Sequence, residues 1–252
     1  MTLSIDLNCD MGESFGAWKM GQDELILPYV SSANIACGYH AGDASVMRHT
    51  VALALKHGVK IGAHPGLPDL VGFGRRNMTI SPENAYDIIV VQIGALAAVA
   101  ASQGTRLHHV KAHGALYNMA VKDYALSLAI AQAVLDVDPS LVLYVLAGRN
   151  AMVEAATQCG IKIKQEVFGD RTYQPDGSLT PRRQHNAMIQ DINQSIKQVL
   201  QMVQQGKVTA VDGSDVLLNA ETLCIHGDQP NAAAFVQAIR LALEKAEVTI
   251  GG

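Results

Sequence analysis

The sequence predicts an α/β protein whose residues 1–252 form a single domain, a distorted (β/α) barrel with mostly parallel strands. Short apolar runs alternate with helix-like segments along the chain, no linker or internal repeat divides it, and its 252 residues match the usual size of one barrel. A doubly wound open sheet is the alternative. In both architectures, ligands bind beyond the carboxyl ends of the strands.

Seven apolar or alternating runs predict strands. They are Leu3–Cys9, Ala33–Cys37, Val59–Ala63, Leu107–Ala112, Leu141–Leu146, Ile161–Val167 and Leu223–Ile225. Val216–Leu218 is a candidate for an eighth strand, which would complete the number found in a regular barrel.

Helix signals lie between these runs. Asp43 is a predicted N-cap, Val46, Thr50 and Leu53 follow it at helical spacing, and Gly58 ends the pattern. A second helix is predicted to begin at Ser81-Pro82-Glu83, where a cap precedes a proline and an acid of the first turn.

Three further apolar patterns predict buried or amphipathic helices. The window Ile88–Ala101 is shorter than the ~20 residues that cross a bilayer and contains Gln92, so we interpret it as a buried helix. A striped helix is predicted from about Asn186, with Ile189 on its apolar face, and another from about Ala232 to Glu244.

Composition narrows the function classes. Hydrophobic residues make up 49% of the chain and charged residues 17%, which indicates a large core. The formal net charge is −4 and no cluster of Lys and Arg occurs, so neither a nucleic acid nor an anionic membrane is an expected partner. A small polar ligand is the remaining expectation.

The cysteines and the first residues bear on localisation. Cys9, Cys37, Cys159 and Cys224 form no CxxC pair, which is typical of reduced thiols rather than of a zinc or disulfide framework. Acidic residues come at once, beginning with Asp6, and leave no signal peptide pattern. We expect a cytoplasmic protein.

Polar residues follow six of the predicted strands. A single polar residue at the end of a strand is more often a helix cap than a catalytic group. Since strand ends share one end of the fold, their repetition predicts a site there. The expected site residues are Asp10, Glu13, His40, His64, Lys111, His113, Asp170, Arg171, His226 and Asp228.

Strand alternation sharpens this expectation, because side chains two residues apart share a face. Asp6, Asn8 and Asp10 lie on one face, and Lys111 lies with His113 on another. The polar faces are expected to line the mouth of the barrel while the apolar faces pack against the helices. Cys9 falls on an apolar face and is expected to be a buried thiol rather than a nucleophile.

Basic residues at these ends have two interpretations each. Lys111 has apolar neighbours, so it could hold a carboxylate or act with a depressed pKa, and it could equally form a salt bridge to Glu166. Arg75 and Arg76 could clamp an anion or form an exposed loop pair.

Standard nucleotide and serine-hydrolase motifs are missing from the sequence. It contains no GxxxxGK[ST], no GxGxxG and no GxSxG. If ATP takes part in the function, its site is expected on another polypeptide, with a nonstandard nucleotide site at Lys111, Arg75 and Arg76 as the alternative.

The strand-end motifs resemble those of the LamB/YcsF family almost from end to end. They are DLNCDMGESFG (Asp6–Gly16), NIACGYHAGD (Asn34–Asp43), GAHPGLPD (Gly62–Asp69), GFGRR (Gly72–Arg76), HVKAHGALYN (His109–Asn118), EVFGDRTY (Glu166–Tyr173) and HGD (His226–Asp228). The family commonly has alanine where this chain has Gly169.

The resemblance implies a barrel related to the glycoside hydrolase/deacetylase fold and a role in the ATP-dependent opening of the 5-oxo-L-proline lactam to L-glutamate. It also implies two partner subunits, of the PxpB and PxpC types, with ATP as cosubstrate of the complex. On this interpretation Asp10 or a nearby histidine is the general base, His113 or His226 is the acid, and Lys111 and Arg171 hold an anion.

Two other functions stay open at this point. Asp10, His40, His64 and His226 are ligand types that suit a divalent ion, so a metal-dependent deacetylase or amidohydrolase acting on a small amide is an alternative, although no metal ligand is assigned. A non-catalytic binding module for a small carboxylic acid is the other alternative.

Overall fold

Seven parallel strands close into a barrel in the computed structural model, which describes residues 3–226 and 232–251. The strands of the described residues are β1 (Ser4–Met11), β2 (Ser32–Ala36), β3 (Lys60–His64), β4 (His109–Lys111), β5 (Val142–Leu146), β6 (Lys162–Phe168), β7 (Lys207–Thr209), β8 (Asp215–Leu217), β9 (Thr222–Cys224) and β10 (Thr249–Ile250). The ring runs from β1 through β6 to β9, which pairs with both β6 and β1. This closure confirms the predicted barrel with parallel strands.

Helices flank the barrel. They are α1 (Asp23–Ile26), α2 (Ala44–Lys56), α3 (Pro82–Ala101), α4 (Gly114–Ala120), α5 (Tyr124–Val137), α6 (Ala151–Cys159), α7 (Ile192–Gln205) and α8 (Ala232–Lys245). A short 3-10 helix, Leu27–Tyr29, follows α1.

The predicted helix starts of α2 and α3 are confirmed by their caps. The Asp43 carboxylate accepts hydrogen bonds from the backbone N–H groups of Ser45 and Val46. The Ser81 hydroxyl accepts from Asn84, and Pro82 occupies the first helical position, where its missing N–H leaves no bond unmade.

One predicted helix start is wrong, and one strand candidate forms a strand outside the barrel. Helix α7 begins at Ile192 instead of about Asn186, because Asp191 caps it by accepting from Gln194. Ile189 is nevertheless buried. Its backbone N–H donates to the carbonyl of Asp170, in the loop after β6.

The eighth strand candidate, Val216–Leu218, does not enter the barrel. Strand β8 pairs antiparallel with β7 in a separate hairpin. Only residues 210–214 join the two strands, whereas a parallel partner in the ring would need a crossover of about a dozen residues or more.

Alternation along β1 divides the barrel wall into two environments. Ile5, Leu7 and Cys9 belong to the apolar core between the strands and the helices. Asp6 and Asn8 are buried as well, but their side chains bond to polar partners from other strands of the ring. The barrel interior is therefore polar, and the hydrophobic core lies outside it.

Helix α3 is the one described helix that is long and apolar enough, by length and composition, to cross a membrane. It packs against α5, α2 and β3 instead. Ile89, Ile93 and Leu96 are fully buried in these contacts, so one face of α3 packs on the core while residues such as Val91 are exposed.

Candidate functional site

A small cavity of about 40 Å³ lies at the carboxyl ends of the barrel strands. The residues that line it are Asp10, His64, Arg75, Lys111, Ala112, His113, Gly114, Tyr117, Asn118, Phe168, Arg171, Leu179, Arg182 and His226.

Lys111 lies between two carboxylates at the base of this cavity. Its Nζ is 2.8 Å from Asp10 Oδ1 and 2.9 Å from Glu166 Oε1, and it also donates to Cys224 Sγ at 3.0 Å. Burial alone would lower the pKa of Lys111, but the charges of Asp10, Cys224 and Glu166 outweigh burial and raise the pKa well above its usual value. Of the interpretations that the sequence left open, the structure has the salt bridge to Glu166, and Lys111 is a fixed cation.

Asp10 is the corresponding fixed anion. Burial by itself raises the pKa of Asp10, but His64 and Lys111 more than compensate and hold it well below the usual range of a carboxyl group. Asn34 Nδ2 also donates to Asp10 Oδ1 at 2.8 Å. Asp10 Oδ1 is thus held by Lys111 and Asn34. The other oxygen, Oδ2, lies 3.3 Å from His64 Nε2.

Polar side chains inside the barrel hold this pair from below. His109 Nε2 lies 2.7 Å from Asn34 Oδ1, which orients the Asn34 amide towards Asp10. The His109 ring stacks on Tyr144 with 4.1 Å between centroids, and the Tyr144 hydroxyl donates to Asp6 Oδ2. The hydrogen bonds continue from one end of the barrel to the other.

Glu166 is held by the same network. The Asn8 amide donates to Glu166 Oε1 at 3.2 Å and the Tyr117 hydroxyl donates to Oε2 at 2.8 Å. With Lys111 as a third partner, Glu166 is fully buried and saturated. Its role is to position Lys111 rather than to contact a ligand.

Three histidines and Glu13 form a second buried cluster beside Asp10. His113 Nδ1 lies 3.0 Å from His64 Nε2 and 3.8 Å from Glu13 Oε1. The His40 ring stacks on His113 with 3.7 Å between centroids, and its Nε2 is 4.0 Å from Glu13 Oε1. Burial and the neighbouring rings hold the pKa of both His40 and His113 well below the usual value.

Two glycines make room for these rings. Gly74 has a φ of +61°, and a Cβ built there would lie 2.8 Å from His113 Cδ2 and 2.8 Å from His40 Cβ. A Cβ on Gly66 would lie 2.6 Å from His40 Nδ1. The loops after β3 therefore need glycine in order to close over the histidine cluster.

On the other side of the cavity, Asp170 and His226 form a buried pair. His226 Nδ1 lies 2.8 Å from Asp170 Oδ2, and the backbone N–H of His226 donates to the same oxygen. Burial alone would raise the pKa of Asp170, but the charge and hydrogen bond of His226 lower it. The carboxylate fixes the ring of His226, which lines the cavity.

Arg171 lines the cavity but is partly committed elsewhere. Its Nη2 donates to the carbonyl of Thr180 at 2.6 Å and its Nε lies 3.4 Å from the carbonyl of Ala187. Burial and the nearby Arg182 lower the pKa of Arg171 to about 10, so it stays charged at neutral pH. It braces the loop after β6 while presenting positive charge to the cavity.

The Arg75-Arg76 pair does not act as one clamp. Arg76 forms an ion pair with Asp69, away from the cavity lining. Arg75 lines the cavity, with its guanidinium 4.8 Å from the centre of the Phe73 ring.

The structure thus places nine of the ten expected site residues at one end of the barrel, and Asp228 lies outside the described residues. Sequence reasoning missed His109, Asn34 and Tyr117. His109 shares the face of Lys111 and His113 by alternation, so the same rule would have found it. Asn34 and Tyr117 carried no signal of their own.

Two groups in the described part of the chain bring metal-ligand atoms together within 4.8 Å of one another. One is Glu13 with His40, His64 and His113, and the other is Asp10 with Cys224 and His226. The second group also contains Lys111 Nζ, which is 2.8 Å from Asp10 and 3.0 Å from Cys224. Since an ammonium group already occupies that position, only the first group suits a cation.

Fold and site together define a class: a parallel β/α-barrel protein with a carboxylate, lysine and histidine site at the carboxyl ends of its strands. The chain belongs to the LamB/YcsF family, which it matches over residues 5–252.

Relatives with assigned names span the whole chain. The chain is 65% identical over 250 residues to the 5-oxoprolinase A subunit of Bordetella pertussis, covering 99% of each chain. It is 58% identical to the 5-oxoprolinase A subunit of Bacillus subtilis, covering 98% of this chain and 95% of the relative.

Solved structures agree on the fold. The lactam utilization protein from Thermus thermophilus superimposes with a TM-score of 0.93 at 47% identity, with 99% of each chain covered. A family 4 carbohydrate esterase from Streptomyces lividans gives a TM-score of 0.50 at 12% identity, covering 99% of this chain and 92% of the esterase. The second likeness concerns the fold alone.

Proposed function

We propose that this chain is the A subunit of an ATP-dependent 5-oxoprolinase, which opens the lactam ring of 5-oxo-L-proline to give L-glutamate. The observation that carries the proposal is the 65% identity, from end to end, to a protein named as the A subunit of 5-oxoprolinase. The site supports it, because the cavity at the strand ends combines fixed cations, a fixed carboxylate and histidines.

The chemistry explains why ATP is needed. A five-membered lactam resists water, and transfer of a phosphoryl group to its oxygen makes the ring carbon electrophilic. Water then adds to that carbon, the carbon–nitrogen bond breaks as the nitrogen takes a proton, and an acyl phosphate is left. A second water releases phosphate and gives glutamate.

Named residues supply the roles in this sequence. Asp10, or a nearby histidine, removes the proton of the attacking water, and His113 or His226 protonates the ring nitrogen. Lys111 and Arg171 stabilise the carboxylate of the substrate and the phosphoryl group, since both keep their positive charge at neutral pH. Glu13, His40 and Asp170 complete the proposed site as groups that orient these side chains, and Asp228, outside the described residues, stays a proposed site residue.

The phosphorylation step belongs to partner subunits. The chain has no glycine-rich phosphate loop with its lysine, and phosphoryl transfer needs a place where the γ-phosphate and Mg²⁺ are held in line. Two further subunits, of the PxpB and PxpC types, are the proposed partners, with ATP as cosubstrate of the complex in the cytoplasm.

The test is 5-oxoproline-dependent glutamate formation with ATP. The purified chain is mixed with the two partner subunits, and each component is omitted in turn. The proposal predicts glutamate only in the complete mixture. Glutamate formation that persists when this chain is omitted would exclude it from the reaction.

A further inference from the structure

The hydrogen bonds of His64 and His113 fix where each ring carries its proton. His64 Nδ1 lies 2.7 Å from the carbonyl oxygen of Lys111, and His113 Nε2 lies 2.8 Å from that of Phe73. A carbonyl oxygen only accepts, so these two nitrogens are the ones that carry N–H. In the neutral rings, the lone pairs are therefore on His64 Nε2 and His113 Nδ1.

These two lone pairs face each other at 3.0 Å. Two acceptors at this distance repel unless a cation lies between them. Two carboxylates add to the same region, because Asp10 Oδ2 is 3.3 Å from His64 Nε2 and Glu13 Oε1 is 3.8 Å from His113 Nδ1. Four acceptor atoms thus converge from three segments of the chain: the end of β1 with the residues after it, the end of β3, and the start of α4.

Their spacing matches a metal coordination shell. A tetrahedral ion with bonds of about 2.0–2.1 Å keeps its ligand atoms roughly 3.3–3.4 Å apart. The three measured separations are 3.0, 3.3 and 3.8 Å. The backbone carbonyls that hold the outer nitrogens are the usual second contacts of metal-binding histidines.

His40 is close but oriented differently. Its ring lies parallel to His113, with 2° between the planes, and a metal ion lies in the plane of each imidazole that binds it. Both His40 nitrogens are buried without a hydrogen-bond partner among the described residues. In this rotamer His40 packs its ring face against His113 and is not a ligand. It becomes a ligand only if its ring turns.

We propose that Glu13, His64 and His113 bind one divalent first-row transition metal ion and that Asp10 lies beside the remaining coordination position, with Zn²⁺ as the expected default. Nitrogen and carboxylate donors in this number suit that class. When bound, such an ion polarises the oxygen of a ligand or water. The inference concerns the site of the proposed function, and it leaves His226 as the proton donor of that reaction because His113 is then occupied.

The test is metal content and metal uptake of the untagged full-length chain, without substrate, ATP or partners. Protein purified without chelator is analysed by inductively coupled plasma mass spectrometry, and stripped protein is titrated with Zn²⁺ and with Co²⁺. We expect one equivalent to bind, with the absorption bands of tetrahedral Co²⁺. A stripped wild-type chain that takes up neither ion would overturn the proposal.

Variants then locate the ion. His64→Ala and His113→Ala should weaken Zn²⁺ binding by more than the roughly 10–100-fold typical of losing a second-shell contact. His49→Ala is the matched control, since His49 is exposed and faces Glu24 on the surface. Circular dichroism checks that each variant is folded. If His49→Ala weakens Zn²⁺ binding as much as the site variants do, or if both site variants bind Zn²⁺ like the wild type, the ion is adventitious and the assignment is refuted.

This experiment is independent of the proposed enzyme activity. Metal uptake is measured with no 5-oxoproline present, so a chain that binds no metal can still form glutamate with its partners. Conversely, a metal-binding chain that forms no glutamate would leave the metal site standing and remove the proposed function.

Discussion

At the residue scale, Lys111 shows which properties of a side chain the local sequence pattern predicts. Its apolar neighbours in the sequence predicted a partly desolvated amine with either a depressed pKa or a salt bridge to Glu166, and the structure has the burial and the salt bridge. The sign of the pKa shift depends on Asp10 and Glu166, which come from strands far away in the chain. A sequence pattern shows which side chains are buried, whereas their charge state depends on which partners the fold brings.

Replacing Lys111 tests this arrangement. Lys111→Met leaves the buried carboxylates of Asp10 and Glu166 without their shared cation, so we expect a loss of about 3–5 kcal/mol in the free energy of unfolding at neutral pH. Urea denaturation measures it. Lys207→Met is the control, because Lys207 pairs with Asp215 at the surface and should cost less than about 1 kcal/mol. Equal losses in the two variants would contradict the proposed anchoring role.

Asp6 links stability to pH. Burial alone would raise its pKa, but hydrogen bonds from Thr222, Ser31 and Ser32 lower it below the usual value of 3.8. A carboxylate with a lower pKa in the folded state stabilises the protein above its unfolded pKa, and this contribution is lost as the pH falls through the folded value.

Asp6→Asn measures that contribution. The difference in unfolding free energy between the wild type and Asp6→Asn should be largest near pH 7 and shrink below about pH 4. Asp87→Asn, at an exposed position on α3, controls for general charge effects. A difference between wild type and Asp6→Asn that stays constant down to pH 2 would show that Asp6 does not carry the acid sensitivity.

Strand alternation predicts the position of some polar residues inside the barrel and not of others. Asp6, Asn8 and Asp10 could be assigned to one face of a strand because apolar residues separate them. Asn34 could not, since β2 is buried on both faces and its sequence gives no alternation. Its role depends on His109, whose position across the barrel only the closed ring determines.

At the element scale, strands and helices were predictable where one local signal dominated. Apolar runs located all seven ring strands, and Asp43 and Ser81 located two helix starts. The prediction failed in 186–191, where the apolar stripe extends into a loop. There, the buried Ile189 contacts the fold without being helical, which periodicity cannot distinguish.

Substitution of Gly62 tests how tightly the strands pack around the polar side chains inside the barrel. It lies beside His109 in the sheet, and a Cβ built on it would overlap the His109 imidazole. Gly62→Ala should therefore cost about 1–3 kcal/mol through overpacking and displace His109 from Asn34. Thermal unfolding measures the stability, and the His109 ring resonances in NMR report the displacement.

Gly94→Ala is the matched control with the opposite sign. Gly94 lies within α3 and nothing is within 4 Å of a Cβ built there. The substitution should stabilise the protein by about 0.5–1 kcal/mol, because alanine loses less conformational freedom in a helix. A stabilising Gly62→Ala would mean that the barrel interior is less tightly packed than described.

At the scale of the whole molecule, the barrel class followed from βα alternation, but its strand number did not. Seven strands close because β9 pairs with β1, and the extra apolar run of β8 forms an outer hairpin. Closure depends on register across the whole sheet, which no local window contains. That the barrel is the only domain of the chain stays a prediction.

The missing nucleotide motif predicts a division of labour among subunits. The isolated chain should release no phosphate from ATP above background, with or without 5-oxoproline, and phosphate release should appear only when the partner subunits are added. A colorimetric phosphate assay measures it. Robust 5-oxoproline-stimulated release by the isolated chain, abolished in Lys111→Ala, would place the phosphorylation chemistry in this barrel.

The central claim is that the carboxyl end of this barrel, around Asp10, is where the lactam ring is opened. The direct measurement is the rate of glutamate formation by the reconstituted complex containing either the wild-type chain or Asp10→Asn, with assembly checked by gel filtration. Loss of the proposed base predicts a fall of about 10²–10⁴-fold in an assembled complex. Glutamate formation at the wild-type rate in the Asp10→Asn complex would contradict the account.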